Sequence, residues 1–573
     1  MFPYLSRAVG RVPPRWRGRD GYLALGALLV IAWSCLQLLL FGFGRDQSIY
    51  AEVGSQLLEG QMPYRDVWDF KPPGIFLVFA LAQALFGKAM WAPRVLEVAC
   101  LVGSVAAYAR VTRVMLGSAL PGLMGGALAA LLHAQLEFWH SGQPESFGGF
   151  LVAAALWACA EATVRRPRAA QDEGGVDASP RAAWWWALSA LSFGAAVLFK
   201  PPLAGGVVVC ASYLALRRHR LSRDGRGQAR ALRVVAVMAA CSLLPVLLCS
   251  WWLWARGAWG AVHWTFFEFA PGYTGLGWQN AAPLPLLYYA GVELVFKFSA
   301  LAAVGLFAVL ILRAIHSRER ELLLLVFGVL AMQLVGIVMQ AKFFQYHYAA
   351  SLSLLGLVAG VGWYKLARRL QLIAWGGGVL LLALVVAGSL KVGVVDVPGS
   401  FWQRSAMRTA YAMGLSDVQS RAALNRELYY VADYNLDADA RVARYLKANG
   451  APRAGLFVWG FEPLIYWLSD SRAVSRFIYN VPQRTGWEQK RARSLLLEEL
   501  RRDLPGWLVV QHNDVFPNVT GDSLDSKQAL EYFPELQQLV VQRYALTKRI
   551  EDFDIYQLGP PTRVASEDHA DTH

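Results

Sequence analysis

Between Gly44 and Gly74 the sequence reads GRDQSIYAEVGSQLLEGQMPYRDVWDFKPPG, and Arg45, Asp46, Glu52, Arg65, Asp66, Asp69 and Lys71 crowd into a chain that is otherwise poor in charge. Charges beside a bilayer are costly unless they face water or one another, so a dense mixed-sign cluster there marks a functional site. Asp46 lies just past a long apolar segment, where a carboxylate can act as general base on a hydroxyl. Its plainer role is that of a helix N-cap. Glu145, in HSGQPES, supplies a second acid. Two carboxylates on one aqueous rim can bind a sugar's hydroxyls or share base work, whereas a lone acid at a Pro turn is simply solvated. Lys71 and Lys200 each precede Pro-Pro. A lysine is a point-charge partner for phosphate and can stabilise a leaving phosphate in a partly dry site; the ordinary alternative is an interfacial lysine that snorkels to the headgroups. Arg45 and Arg65 are weaker candidates of the same kind. His347 is a lone imidazole in FFQYHY, followed by Tyr348, in a stretch that an aromatic belt largely explains.

The elements that must hold these groups are mostly membrane spans. The 573 residues are 56% hydrophobic and only 17% charged, below the roughly 25% charge of soluble domains, and mean hydropathy is +0.34. The formal charge of +14 does not point to nucleic acid, because the arginines fall in short loops between apolar segments, the topology signal of membrane proteins. Cys35, Cys100, Cys159, Cys210, Cys241 and Cys249 all lie in apolar stretches, which excludes a disulfide framework or a metal-type cysteine spacing.

Met1 to Asp20 carries five arginines and is expected in the cytoplasm; Gly21 to Phe43 is a retained first span, and the 44–74 loop then lies outside. Within that loop Ile49, Val53 and Leu57 share one face of a short surface helix over 47–59. Gly74 to Phe86 is too short to span and is expected as a second interfacial or re-entrant helix. Further spans are expected at 89–110, 119–140, 146–163, 183–199, 202–216, 234–255, 287–312, 322–340, 349–365 and 372–391. This count of about eleven crossings puts the arginine-rich loops near 165–181, 217–233, 313–320 and 365–369 inside, and Glu145, Lys200 and His347 on the outer side with Asp46. The result is an α-helical polytopic membrane domain over 1–391, with a catalytic first outer loop at 44–88. A soluble α/β domain over 392–573 follows outside the cytoplasm, with buried strands at Leu456–Trp459 and Trp507–Val510 and amphipathic helices at 437–448 and 487–502.

Asp46-x-x-x-Tyr50, then PYRDVWDFKPPG, then a Pro-Glu turn, an FKPP turn and KFFQYHY follow in that order. This succession resembles bacterial membrane glycosyltransferases of the GT-C fold, in the dolichyl-phosphate-mannose-protein mannosyltransferase-like and aminoarabinose transferase-like group. VWGFEPLIYWLSDSRAVSRF is similar to their C-terminal domain. The resemblance implies an inverting transfer of a sugar from a polyprenyl-phosphate donor to an acceptor hydroxyl on a lipid, glycan or protein. It implies Asp46 as base and Glu145 as the second acid. Lys71 and Lys200 would meet the donor phosphate, with Arg45, Tyr50 and Asp69 at the site and His347 and Tyr348 near the donor head group. It requires no cofactor and no metal, and it places the protein in a bacterial inner membrane with its C-terminal domain in the periplasm. Protein mannosyltransferases carry Asp-Glu where this chain has Asp46-Gln47, a departure that weighs against protein as acceptor and leaves the fold expectation intact. No nucleotide-binding loop and no H-E-x-x-H occurs. A lipid-linked sugar flippase or transporter is the alternative suggested by many spans with re-entrant pieces, and an assembly protein that recruits a partner through its soluble domain is a third.

Overall fold

Runs of Leu, Val and Ala long enough to satisfy every backbone group internally fold as helices in lipid, and helices dominate the computed structural model of this chain. It describes residues 19–164, 180–221, 227–279, 281–297, 300–314, 316, 318–370, 400–418, 420–431 and 433–559. The expected span at 372–391 lies outside them. By length and apolar composition, five described helices can cross a membrane: Asp20–Leu40, Trp91–Leu116, Gly227–Ala255, Glu319–Gln340 and Gln345–Leu370. Pro283–Val295 with Ala300–Ile311 makes a sixth if counted as one broken span. Gly74–Phe86, Leu120–Ala134 and Ala183–Val197 are apolar but shorter. The protein is thus an α-helical polytopic membrane protein carrying a small α/β region.

Several departures from expectation are local. The segment expected as one span at 287–312 is bent by 104° between Pro283–Val295 and Ala300–Ile311. The segment expected as one span at 119–140 is broken: the helix Leu120–Ala134 ends, and a short turn of helix, Glu137–His140, begins at Glu137 with a φ of 59°. The surface helix expected at 47–59 begins earlier and runs Arg45–Leu58.

Contacts divide the chain into two compact units, Met1–Gly42 with Lys71–Trp252 and Asn280–Val418, and Phe43–Phe70 with Leu253–Gln279 and Gln419–His573. In the first unit, the core joins Leu, Val and Ala side chains of the helices Leu120–Ala134, Pro144–Glu161, Glu319–Gln340 and Ala349–Leu370. Small residues let backbones close in, as is usual between membrane helices. A Cβ on Gly360 would strike the backbone of Gly125, and one on Gly362 would strike Gly305. Buried charges of this unit find partners at two places: Lys365 Nζ lies 2.6 Å from Glu319, and Glu137 is held by Arg408 and Arg404 from the helix Phe401–Ala412.

The second unit contains a four-stranded sheet in the order Leu456–Trp459, Trp507–Gln511, Phe553–Leu558, Tyr544–Ile550. The first pair is parallel and the other two are antiparallel. A parallel pair needs a crossover, and the connection contains the amphipathic helix Gln489–Arg502, whose Ala492, Leu496 and Leu500 are buried. Both expected strands are present, and they are buried along their whole lengths. The 43–70 segment belongs to this unit: Trp68 donates its backbone N–H to Arg476 O at 2.7 Å and packs its ring against Trp264, Phe269, Phe477 and Tyr479.

Candidate functional site

In the first unit the two Lys-Pro-Pro turns are brought together by backbone. Gly74 donates its N–H to Leu198 O at 2.8 Å, and a Cβ at position 74 would lie 2.6 Å from that same oxygen. Only glycine therefore lets the turn that carries Lys71 close on the turn that carries Lys200. Pro73 caps the helix Gly74–Phe86 at a φ of −68°, and Pro201 opens the 3-10 turn Pro201–Ala204 behind an extended Lys200. Proline at such starts costs no hydrogen bond, because the missing N–H would have had no helical partner.

Both ammonium groups then meet Tyr346. Lys71 Nζ donates to its hydroxyl at 3.2 Å and lies 5.1 Å from the ring centroid, while Lys200 Nζ is 6.0 Å from the same centroid. Lys200 is also 2.8 Å from Glu145, which is buried at the head of the helix Pro144–Glu161. His140 faces the Tyr346 ring at 5.9 Å and His347 stands edge-on to it at 4.6 Å. His347 Nδ1 bonds the Lys342 carbonyl, which can only accept. Nδ1 therefore carries the proton and Nε2 is an acceptor. Burial pushes the Lys342 ammonium down to about 8. Tyr348, one residue on, turns instead into the helical core.

The turn ahead of Glu145 is itself fixed by buried charge. Arg94 donates to Glu97 at 2.8 Å, Ser141 Oγ at 3.0 Å, Gly42 O at 2.9 Å and Phe138 O at 3.3 Å. Glu97 in turn holds His133 Nε2 at 2.7 Å and the Gly142 N–H at 2.5 Å. A cation that grips three chain segments at once is a brace for the loop, and the acid beside it keeps that cation tolerable in a dry place.

The remaining candidates lie in the second unit. Gly44 is the N-cap of the helix Arg45–Leu58, so the capping role considered for Asp46 is corrected: Asp46 sits inside the first turn, half-buried. Gln47 Oε1 accepts the Gly44 N–H at 2.9 Å, the bond that a Glu makes at this place in a capping box, so the Asp-Gln pair keeps the turn that Asp-Glu would make. Arg45 is buried, with Nη2 3.0 Å from Asp433 and its fork on Glu462. Tyr50 is fully buried. Asp69 is buried and accepts a hydrogen bond from Tyr479 at 2.6 Å. Arg65 pairs with its neighbour Asp66 and donates to Arg256 O at 2.7 Å. Desolvation raises the Asp66 carboxyl, but the hydrogen bonds from the Arg65 fork and the Met62 N–H together hold it below its usual range. Among the described residues no group of three or more His, Cys, Asp or Glu side chains is arranged to hold a metal ion.

No protein-family model matches the sequence, and no curated protein matches it significantly. Solved structures do match. ArnT from Cupriavidus metallidurans bound to undecaprenyl phosphate aligns over 95% of this chain and 100% of its own, at 16% identity and a TM-score of 0.51. Its apo state aligns over 94% and 98%, at 16% identity and a TM-score of 0.50. The chain has the GT-C fold. The fold likeness agrees with the order of motifs from which the resemblance was drawn.

Sequence reasoning missed Tyr346, the ring that both lysines share, and the Arg94–Glu97–His133 brace. Tyr346 was hidden in an aromatic run where only the imidazole looked unusual. The brace had a visible signal, an arginine and a glutamate three apart inside an apolar segment, a spacing that places both on one helix face.

Proposed function

We propose that this protein is an inverting glycosyltransferase that moves a sugar from a polyprenyl-phosphate donor to an acceptor hydroxyl at the extracytoplasmic membrane face. The observation that carries the reading is the convergence of Lys71 and Lys200 on Tyr346, with Glu145 behind Lys200. Two ammonium groups gathered at the start of apolar helices suit a phosphate whose lipid chain stays in the bilayer. Each buried methylene of such a chain contributes about 0.8 kcal/mol, so the donor must be met at headgroup depth. That the GT-C fold is shared with a protein solved with undecaprenyl phosphate supports the same choice of donor.

In this reading the acceptor oxygen attacks the anomeric carbon and the bond from that carbon to the phosphate oxygen breaks. The hydroxyl proton passes to the Asp46 carboxylate. The charge that develops on the departing polyprenyl phosphate is met by Lys71 and Lys200, with the Tyr346 hydroxyl orienting Lys71. Glu145 holds Lys200 in place and is assigned the role of second acid. The domain assignment that goes with this reading is a membrane domain over 1–391, including the 44–88 loop, and an extracytoplasmic domain over 392–573, in a bacterial inner membrane.

Purified protein incubated with a panel of labelled polyprenyl-phosphate sugars tests the proposal. Label should move from the lipid to a hydroxyl-bearing product with inversion at the anomeric carbon, and Asp46→Asn should lower turnover by about 10²–10⁴-fold without altering melting. Label that crosses the bilayer still attached to its lipid would instead establish the flippase reading. Turnover within threefold of wild type in Asp46→Asn would remove Asp46 as the base.

A further inference from the structure

Asp46 is the second residue of its helix, in the turn whose N–H groups have no intrahelical partners and whose direction the helix alone does not fix. Its neighbour Arg45 is fixed firmly. The guanidinium is 4% exposed and lies 4.5 Å from the Phe516 ring centroid, 5.2 Å from Phe461 and 5.7 Å from Tyr434. Nε donates to Glu462 Oε1 at 3.0 Å, Nη2 joins the same oxygen, and Nη2 also reaches Asp433. Gln511, buried, donates to Glu462 Oε1 at 3.1 Å and accepts the Phe461 N–H at 2.7 Å. The chain on either side of Arg45 is pinned as well: Tyr434 Oη donates to Phe43 O at 2.8 Å, and Ser48 Oγ donates to Gly44 O at 2.8 Å.

The far side of Glu462 is unusual. Its Oε2 and Asp439 Oδ2 are both buried with no N–H or hydroxyl donor. Burial and the neighbouring Glu462 charge push the Asp439 carboxyl well above its usual range. Facing this pair are Arg45, Asp433 and the Tyr434 phenol, while Asp514 also feels the Arg45 charge.

We propose that Glu462 is the positioning residue for Asp46: it grips Arg45 and thereby sets the direction in which the first turn presents the neighbouring carboxylate. The proposal rests on Asp46 being the base. A planar fork held by a carboxylate and three rings is rigid in a way that a lysine could not reproduce. With burial holding the Asp439 carboxyl well above its usual range, its deprotonation would put a further negative charge into a buried cluster and loosen the grip, so the device works below the pH at which that proton leaves.

Two readouts separate this proposal from the reading beneath it. The first is amide hydrogen exchange over residues 44–50 of the full-length protein, which needs no substrate. Glu462→Gln and Arg45→Lys should each speed exchange there at least tenfold, with little change over 489–502. The second is turnover with whichever undecaprenyl-phosphate sugar reacts in the panel. Glu462→Gln should lower kcat at least tenfold with donor and acceptor KM within threefold, Glu462→Asp should recover part of that loss, and the double variant Arg45→Gln/Glu462→Gln should be no worse than either single. Asp439→Asn keeps the charge on Glu462 and replaces the titrating carboxyl by an amide that cannot ionise. It should fold even where Glu462→Gln does not, and it should abolish the alkaline decline of the wild-type profile. Additive losses in the double variant, an effect confined to KM, or an unchanged alkaline limb in Asp439→Asn would overturn the positioning role. Normal turnover in Asp46→Asn with fast exchange in Glu462→Gln would show that the grip on the turn is real and the base is elsewhere.

Discussion

Arg45 and the Lys71–Lys200 pair are built from the same parts, a cation, a carboxylate and an aromatic face, yet the parts are assembled in opposite ways. Around Arg45 everything is closed: three rings surround the guanidinium, two carboxylates take its N–H groups, and Glu462 is 1% exposed. Around Tyr346 two separate cations share one ring, Lys71 is only half-buried, and Lys200 retains 13% exposure. An arginine that is fully enclosed has nothing left to offer a ligand, and its contribution is to hold the chain. Lysines gathered at one ring, with a path to solvent, can still meet an anion. Position in the sequence does not separate the two cases, since Arg45 and Lys71 sit in the same charged loop, next to Asp46 and Pro72. The difference lies in what encloses them.

The largest effect that would sharpen this contrast is on stability. Arg45→Ala would leave Glu462 and Asp433 buried without their cation and should cost about 3–5 kcal/mol, read as a large drop in melting temperature in detergent. A drop of less than a degree would break the comparison from the closed side. From the open side, Lys71→Ala should melt almost as wild type does, yet raise donor KM or lower kcat by about 10- to 100-fold, the loss expected when a hydrogen bond to a charged group disappears. If only acceptor kinetics change, the lysine pair is not the phosphate site. Tyr346→Phe removes the hydroxyl that Lys71 donates to while keeping the shared ring. It should cost less, about three- to tenfold in donor kinetics, and a larger loss than that of Lys71→Ala would mean the phenol itself contacts the substrate.

The sequence carried the fold further than it carried the site. Apolar runs, basic loops and the order of D-x-x-x-Y, KPPG, Pro-Glu, FKPP and FFQYHY led to the GT-C fold, because each signal is a local consequence of lipid, backbone and charge. The two strands at Leu456 and Trp507 were legible for the same reason: apolar runs bounded by turns. Gly74 was visible, but its reason was not. Its contact with Leu198 spans more than a hundred positions, and no periodicity reports that. Arg45 reads from the sequence as a weaker candidate at the site, and its partners, Asp433 and Glu462, lie nearly four hundred residues away, beyond the reach of any local pattern. The break before Glu137 was missed as well. Glu137, just past the break, pairs with Arg404 and Arg408 from a distant segment, and hydropathy sees only the apolar residues around it.

The smallest effect concerns another enclosed acid of the second unit, and it tests whether enclosure alone produces the behaviour assigned to Asp439. Asp514 is fully buried and takes the Ser526 N–H at 2.6 Å and its hydroxyl at 2.5 Å, with Arg484 3.6 Å away. Burial pushes its carboxyl up to about 7, with Arg484 and Ser526 opposing. In the unfolded chain the same group titrates near its ordinary value of about 3.9. Because the folded value is the higher one, the stability this group contributes is complete below about pH 4 and is lost as pH rises to about 7, with a ceiling of about 4 kcal/mol. Asp514→Asn cannot titrate. The melting gap between wild type and this variant should therefore favour wild type most near pH 4 and shrink, or reverse, by pH 7.5, while turnover at neutral pH moves by less than about twofold. A gap that widens with rising pH would mean that Arg484 and Ser526 outweigh burial and hold Asp514 ionised. The premise that enclosure keeps a carboxyl protonated here would then fail for Asp439 too, since Arg45 stands to that group as Arg484 stands to Asp514.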